Sequence, residues 1–358
     1  MLSQTVENID RALEAQLNFF AYRMPGLDSE VYFGASPRIV DGLADNAFVI
    51  GAFDNSSLFS IPADYTDLAT YCVQGNCHIE DTDIPTSTSR ADHRHEVETI
   101  CAHLSSAGGG KVVAARTLTI PKHVNVSKSF AALCQAYPTA FVSCFYSSHS
   151  GLWLGASPET LLRLHDDRLE TMALAGTRPR TNNPNTPHPF NFSAPAWDSK
   201  NIEEQQLVVD FICRTMLDNG LQPRTSWRFT RTAGPVEHNC TRITASAAPL
   251  HNSPLQIRNL LTSLSPTPAV CGSDRQLSLT LISSLESFPR TFYGGFIGPM
   301  KHFGDFDLFV NLRCCRIFSS AFTLYAGGGI TSRSLPDDEW DETERKLSTL
   351  MAKLIYHN

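Results

Sequence analysis

The sequence predicts an α+β fold, a single large domain of mostly antiparallel sheets flanked by helices. Three observations carry this expectation. Apolar runs come in adjacent pairs with short turns: "FVSCFYS" with "GLWLGAS", then "TLLRLHDDRLETMAL", which reads as two strands about the turn Asp166–Asp167. Four further strand-like runs follow: "EHNCTRITA", "TFYGGFIGPM", "DLFVNLRCCRIF" and "FTLYAGGGI". Finally, 358 residues pass without an internal repeat or a clean linker, a length within reach of one large domain.

The remaining elements fall between these. A helix is expected over Val6 to Arg23, with Leu13, Leu17 and Phe20 on one stripe. "FVIGAF", Phe48 to Phe53, is a short strand, and residues 60 to 92 read as loop, rich in Pro, Ser, Thr and Asp. A helix runs from about Ala91 to Ser105. Then "GGGKVVAARTLTI", Gly108 to Ile120, is a loop feeding a strand. Residues 178 to 198 hold five prolines, and a loop of that length is often functional. A helix follows from about Lys200 to Asp218, and a last helix closes the chain.

Composition excludes several classes. The net charge of −7 offers no basic stripe to neutralise phosphates, so no nucleic acid is expected as partner. No apolar run is long enough to span a bilayer, so no membrane partner is expected either. "MLSQTVENID" is not a secretory signal, and ten cysteines without framework spacing read as free thiols of a cytoplasmic protein. "CVQGNCH" (Cys72, Cys77, His78) and "DHRHE" (His93, His95, Glu96) resemble fragments of metal sites. Neither has a second half at zinc spacing, so both read as solvated loop.

Two helices carry acids on their inner faces. In "DDEWDETERKL", Glu339, Glu342 and Lys346 are spaced i, i+3 and i+7 on one narrow face that Leu350 continues. In "SKNIEEQQLVVDFICRTML", Glu204 lies four before Val208 and seven before Phe211. A carboxylate on such a face is paired, neutralised, bound to metal, or else reaches solvent at the helix's first turn. With only oxygen donors and a small count, a shared cation site would suit Mg²⁺. The other acids, Asp337, Asp338, Asp341 and Glu344, read as solvated or helix N-terminal charge.

At this point "LGASPETLLRL", "ETMALAGTRPR", "TPAVCG", "FYGGFIGPM", "LFVNLRCCRI" and "YAGGGITSRSLPDDEWDETERKLSTL" together resemble the chorismate-utilising enzymes, from about Gly108 to Leu354. The resemblance implies one α+β domain, spanning residues 1–358, that binds chorismate and Mg²⁺ in a cleft. It implies that Glu204 and Glu342 are metal carboxylates with Glu339 beside them. Asn201 stands where the family usually has an acid. Gly176 and Thr177 of "LAGT", with Gly327, Gly328 and Gly329, resemble segments whose backbone meets substrate carboxylates; the family more often has alanine at Gly328. Arg313 resembles the arginine that grips the enolpyruvyl carboxylate. Tyr293 matches an aromatic position near the same group, and Lys346 a carboxylate-facing lysine.

The resemblance also indicates a branch. Members that deliver water to C2 of the ring are similar in carrying lysine where this chain has Lys111; those using ammonia carry glutamine. Glu159 of "SPET" matches the acid that protonates the departing C4 hydroxyl. By residue type alone, Lys111 is as readily a solvated strand lysine and Glu159 a turn residue. Salicylate synthases resemble one another in having threonine where this chain has Ala269, which favours isochorismate as the released product. The reading is a Mg²⁺-dependent isochorismate synthase that needs no glutaminase subunit. A salicylate synthase, or a non-catalytic homologue that binds chorismate or a partner, are the alternatives. The resemblance does not separate members serving menaquinone synthesis from those serving catechol siderophores.

Overall fold

A computed structural model describes residues 2–27, 30–71, 83–179, 197–233 and 236–357. The described residues form seven α-helices: α1 (Leu2–Glu14), α2 (Arg90–Ser106), α3 (Val126–Ala136), α4 (Ser199–Asp218), α5 (Pro254–Leu264), α6 (Arg275–Leu285) and α7 (Pro336–Met351). Side-chain caps fix where several begin: Ser89 accepts from Asp92 N at α2, Asp198 from Asn201 N at α4 and Asp274 from Leu277 N at α6.

The described strands form two antiparallel sheets. The seven-stranded sheet runs in the order Val31–Ser36, Asn18–Arg23, Phe141–Ser147, Gly151–Ser157, Cys314–Ile317, Phe322–Ile330 and Val112–Ile120. The second, ten-stranded sheet has the long strands Arg168–Pro179 and Val236–Ser246 toward one edge and the hairpin Ala47–Gly51 with Leu58–Pro62 toward the other. Side-chain alternation along each strand lets both sheets bury both faces. In Phe141–Ser147, Phe141 and Phe145 join an aromatic core with Phe48, Phe59 and Phe309 of the other sheet, while Val142 and Cys144 face α1, α3 and α7. Phe141 and Phe309 stack across that core with ring centroids 4.0 Å apart. The ten-stranded sheet packs its outer face on α4 and α5, in one cluster with Val97 and Ile100 of α2 and Leu281 and Ile282 of α6.

The α+β expectation holds, and the two hairpins, the turn at Asp166–Asp167 and the strand after the triple glycine are all present. Four local expectations are corrected. The N-terminal helix stops at Glu14; Gln16 turns with positive φ, and the aromatic run Phe19–Phe20 joins the seven-stranded sheet, where it is buried. Residues 60–92 are not all loop, because a strand reaches Pro62 and α2 starts at Arg90. "DLFVNLRCCRIF" is two strands in two sheets, broken at Asn311–Arg313. "DHRHE" lies on α2, where His93 and Glu96 are buried and Asp92, Arg94 and His95 are exposed. Cys72, Cys77, His78 and residues 180–196 lie outside the described residues. The eight described cysteines are free thiols, and no described helix is long and apolar enough to cross a membrane.

Candidate active site

Two places where the chain passes from one sheet to the other lie side by side, and the site is built on them. Ser157 ends a strand of the seven-stranded sheet and Thr160 begins one of the ten-stranded sheet; Glu159 stands between. The return passage, Asn311–Arg313, runs the other way. Backbone bonds tie the two together: Val310 N donates to Glu159 O, and Ala156 N to Arg313 O, both at 3.0 Å. Arg313 holds a positive φ of 48°, the backbone cost of turning between sheets within three residues.

Glu159 is 9% exposed. Burial pushes its carboxyl up to about 7, against a smaller downward pull from Lys111 and Arg231. It is therefore a carboxylic acid that keeps its proton close to neutral pH.

Lys111 opens the edge strand of the seven-stranded sheet. It is also 9% exposed, and its Nζ donates to Glu204 Oε1 at 2.5 Å. Gly329 lies directly beneath it: a Cβ there would collide with Lys111 Cε and lie 3.0 Å from Nζ. The glycine thus makes room for the lysine. The same strand uses its other two glycines similarly. A Cβ on Gly327 would sit 3.0 Å from the Tyr293 hydroxyl, and one on Gly328 2.8 Å from Glu339 Oε2. Ala269 belongs to the turn before Cys271, whose carbonyl accepts from Val113 N at 2.8 Å, so that turn flanks the Lys111 strand.

The two acidic helices approach from opposite layers. Glu204 comes from α4, on the ten-stranded sheet, and Glu342 from α7, on the seven-stranded sheet. Lys346 Nζ donates to Glu342 Oε1 at 2.6 Å and to Gly327 O at 2.7 Å. Burial works against the Glu342 charge, yet Lys346, Arg345 and Lys111 together hold its carboxyl below the ordinary range. Burial draws the Lys346 ammonium down, with Glu342 opposing. Of the acids expected to be solvated, Asp337 pairs with Arg90 and Arg94, and Glu344 with Arg116.

Gly176 sits at a β-bulge with φ of 74°, and Asn201 Oδ1 fills the space a side chain would need. Thr177 pairs with His238 in the ladder; its side chain lies outside the described residues. Two residues escaped the sequence reading. Burial, then Arg313, hold the His238 imidazole down at about 4, while a bond to the Gly176 backbone opposes. Arg231 pairs with His238 across the strands and bears on both His238 and Glu159. In the sequence His238 is an ordinary member of the strand-like run "EHNCTRITA" and Arg231 falls in no expected element, and nothing local marks either as meeting the site.

Carboxylate oxygens are the donors that a hard divalent cation takes. Among the described residues no three His, Cys, Asp or Glu side chains stand ready-made around a metal position. Glu204 and Glu342 are each held by a lysine instead. The donors fit Mg²⁺ in kind and number, as one or two carboxylates completed by substrate and water.

The sequence profile of the family described as "Chorismate binding enzyme" matches residues 70–355, and the chain belongs to that family. Isochorismate synthase DhbC of Bacillus subtilis is 28% identical over 280 residues, covering 73% of this chain and 67% of that protein. Isochorismate synthase MenF of Escherichia coli is 32% identical over 255 residues, 68% of this chain and 56% of that one. The solved structure of MenF, the menaquinone-specific isochorismate synthase from Escherichia coli, superposes with a TM-score of 0.75 at 21% identity. That likeness of fold covers 99% of this chain and 100% of MenF.

Proposed function

We propose that this protein converts chorismate to isochorismate. The observation that supports the reading best is the pairing of chemically opposite groups in one site: Glu159, kept protonated by burial, and Lys111, held over the glycine strand. Water attacks ring carbon C2 as Lys111, acting as the free amine, takes one of its protons. Both ring double bonds shift, C1=C2 to C1=C6 and C5=C6 to C4=C5, and the C4–oxygen bond breaks as Glu159 delivers a proton to the leaving oxygen. One water enters and one leaves, so the product is an isomer. Arg313 grips the enolpyruvyl carboxylate as a planar fork. The backbone around Gly176 and Gly327–Gly329 admits the substrate's carboxylates closely. Glu204 and Glu342, with Glu339 beside them, are the side chains that would hold Mg²⁺, which when bound would neutralise the ring carboxylate and screen shifting charge.

Ala269 favours release of isochorismate with pyruvate retained. The test is incubation with chorismate, with and without Mg²⁺, and chromatographic and mass identification of the product. Isochorismate with little pyruvate is expected. Pyruvate appearing one for one with chorismate loss would make the protein a salicylate synthase, and no turnover would leave a binding protein.

A further inference from the structure

Arg116 is one of the largest fully buried side chains, 1% exposed in the middle of the Val112–Ile120 strand. Burying a guanidinium costs several kcal/mol unless it is well paired. Its partners all come from α7. Nε donates to Thr343 Oγ1 at 2.6 Å, Nη2 pairs with Glu344, and the guanidinium carbon lies 3.8 Å from the centroid of the Trp340 ring. His93 of α2 meets the same indole edge-on, centroids 5.6 Å apart at 72°. Both His93 ring nitrogens are buried without a hydrogen-bond partner, so the ring serves as an aromatic plate.

These contacts lie on one flank of α7. At about 100° per residue, Trp340 and Glu344 lie about 100° and about 140° round the helix from Glu339, and Thr343, at about 40°, links them to the face that carries Glu339, Glu342 and Lys346. On that face Lys346 is bonded to Gly327 O. A fork of donors and a stacked ring fix rotation about the helix axis, which apolar packing alone leaves freer to adjust.

We propose that the Arg116–Trp340–His93 contact is a positioning device: it sets the rotation of α7 and so aims Glu339 and Glu342 toward Glu204. The proposal rests on the reading of these acids as the cation-holding carboxylates.

The test titrates the full chain with Mn²⁺, followed by electron paramagnetic resonance, and measures chorismate turnover against Mg²⁺. Trp340→Leu and Arg116→Lys should weaken Mn²⁺ binding and raise the KM for Mg²⁺ by about tenfold or more, the usual span for residues that orient metal ligands. The kcat at saturating Mg²⁺ should stay within about threefold. His93→Phe, which keeps the plate, should bind as wild type. Ile61→Ala, a core change in the aromatic cluster, which contains no residue of α4 or α7, should lower the melting temperature and leave cation affinity alone. Trp340 is partly exposed, so Trp340→Leu carries the test even if Arg116→Lys does not fold. Wild-type affinity in Trp340→Leu overturns the proposal and leaves the functional reading intact. A wild-type protein that binds no Mn²⁺ overturns both.

Discussion

Replacing Glu159 by glutamine keeps the side chain's size and polarity and removes its titrating proton. In the folded protein the carboxyl stands at about 7 against an ordinary 4.5, with burial as the main cause. A shift of that size corresponds to roughly 3 kcal/mol between the two protonation states. With the midpoint at about 7, about nine in ten of these groups are protonated at pH 6 and about one in ten at pH 8. As the proton donor, Glu159 should therefore impose a falling limb on kcat/KM above pH 7, approaching about tenfold per pH unit. The glutamine variant should be slower by roughly 100-fold or more at pH 6 and should lack that limb. Stability should move in a linked way. A carboxyl raised on folding contributes stability below pH 4.5 that is lost as pH rises through about 7. Relative to wild type, the variant should thus melt higher at pH 8 than at pH 5. The assay is chromatographic product formation across pH 5.5–9, paired with calorimetry. A wild-type profile that stays flat or rises from pH 6 to 8.5, or a glutamine variant sharing the same limb, would refute the assignment.

Lys111→Gln should cut isochorismate formation by roughly 100-fold or more while chorismate binding, followed by calorimetry, survives; a near wild-type rate would move the base elsewhere. Glu204→Gln and Glu342→Gln should fold normally and lose Mg²⁺-dependent turnover, and undiminished activity at limiting Mg²⁺ would remove that residue from the ligand set. Gly329→Ala should displace the lysine above it and lower kcat by about tenfold or more with an unchanged melting temperature, as small misplacements at a reacting centre do. Glu96 is raised to about 8, first by burial and then by Glu286 and Asp92, so its stabilising share is present below pH 4.5 and lost as pH climbs toward 8. Glu96→Gln should flatten the fall in melting temperature between pH 5 and pH 8, and equal slopes in calorimetry would show that Glu96 titrates normally.

Much of this protein was legible in the chain. Hairpins, glycine punctuation and helix-face spacing are local properties, so strands 141–147 and 151–157, the triple-glycine strand and the acid faces of α4 and α7 followed from periods of two and 3.6 residues. The motifs also placed Lys111, Glu159, Glu204 and Glu342 in one reading. The tertiary structure decided what local patterns cannot carry. Pairing partners are chosen by contacts distant in sequence, so one apolar run became two strands in two sheets, with Arg313 at the break. His238 and Arg231 entered the site because strand register turned them toward it. His93 and Glu96, polar in sequence, are buried because α2 packs against both α7 and the strand of Arg116. The proton on Glu159 is likewise not a property of glutamate: residue type sets a carboxyl near 4.5, and only removal from water by the folded chain raises it to about 7.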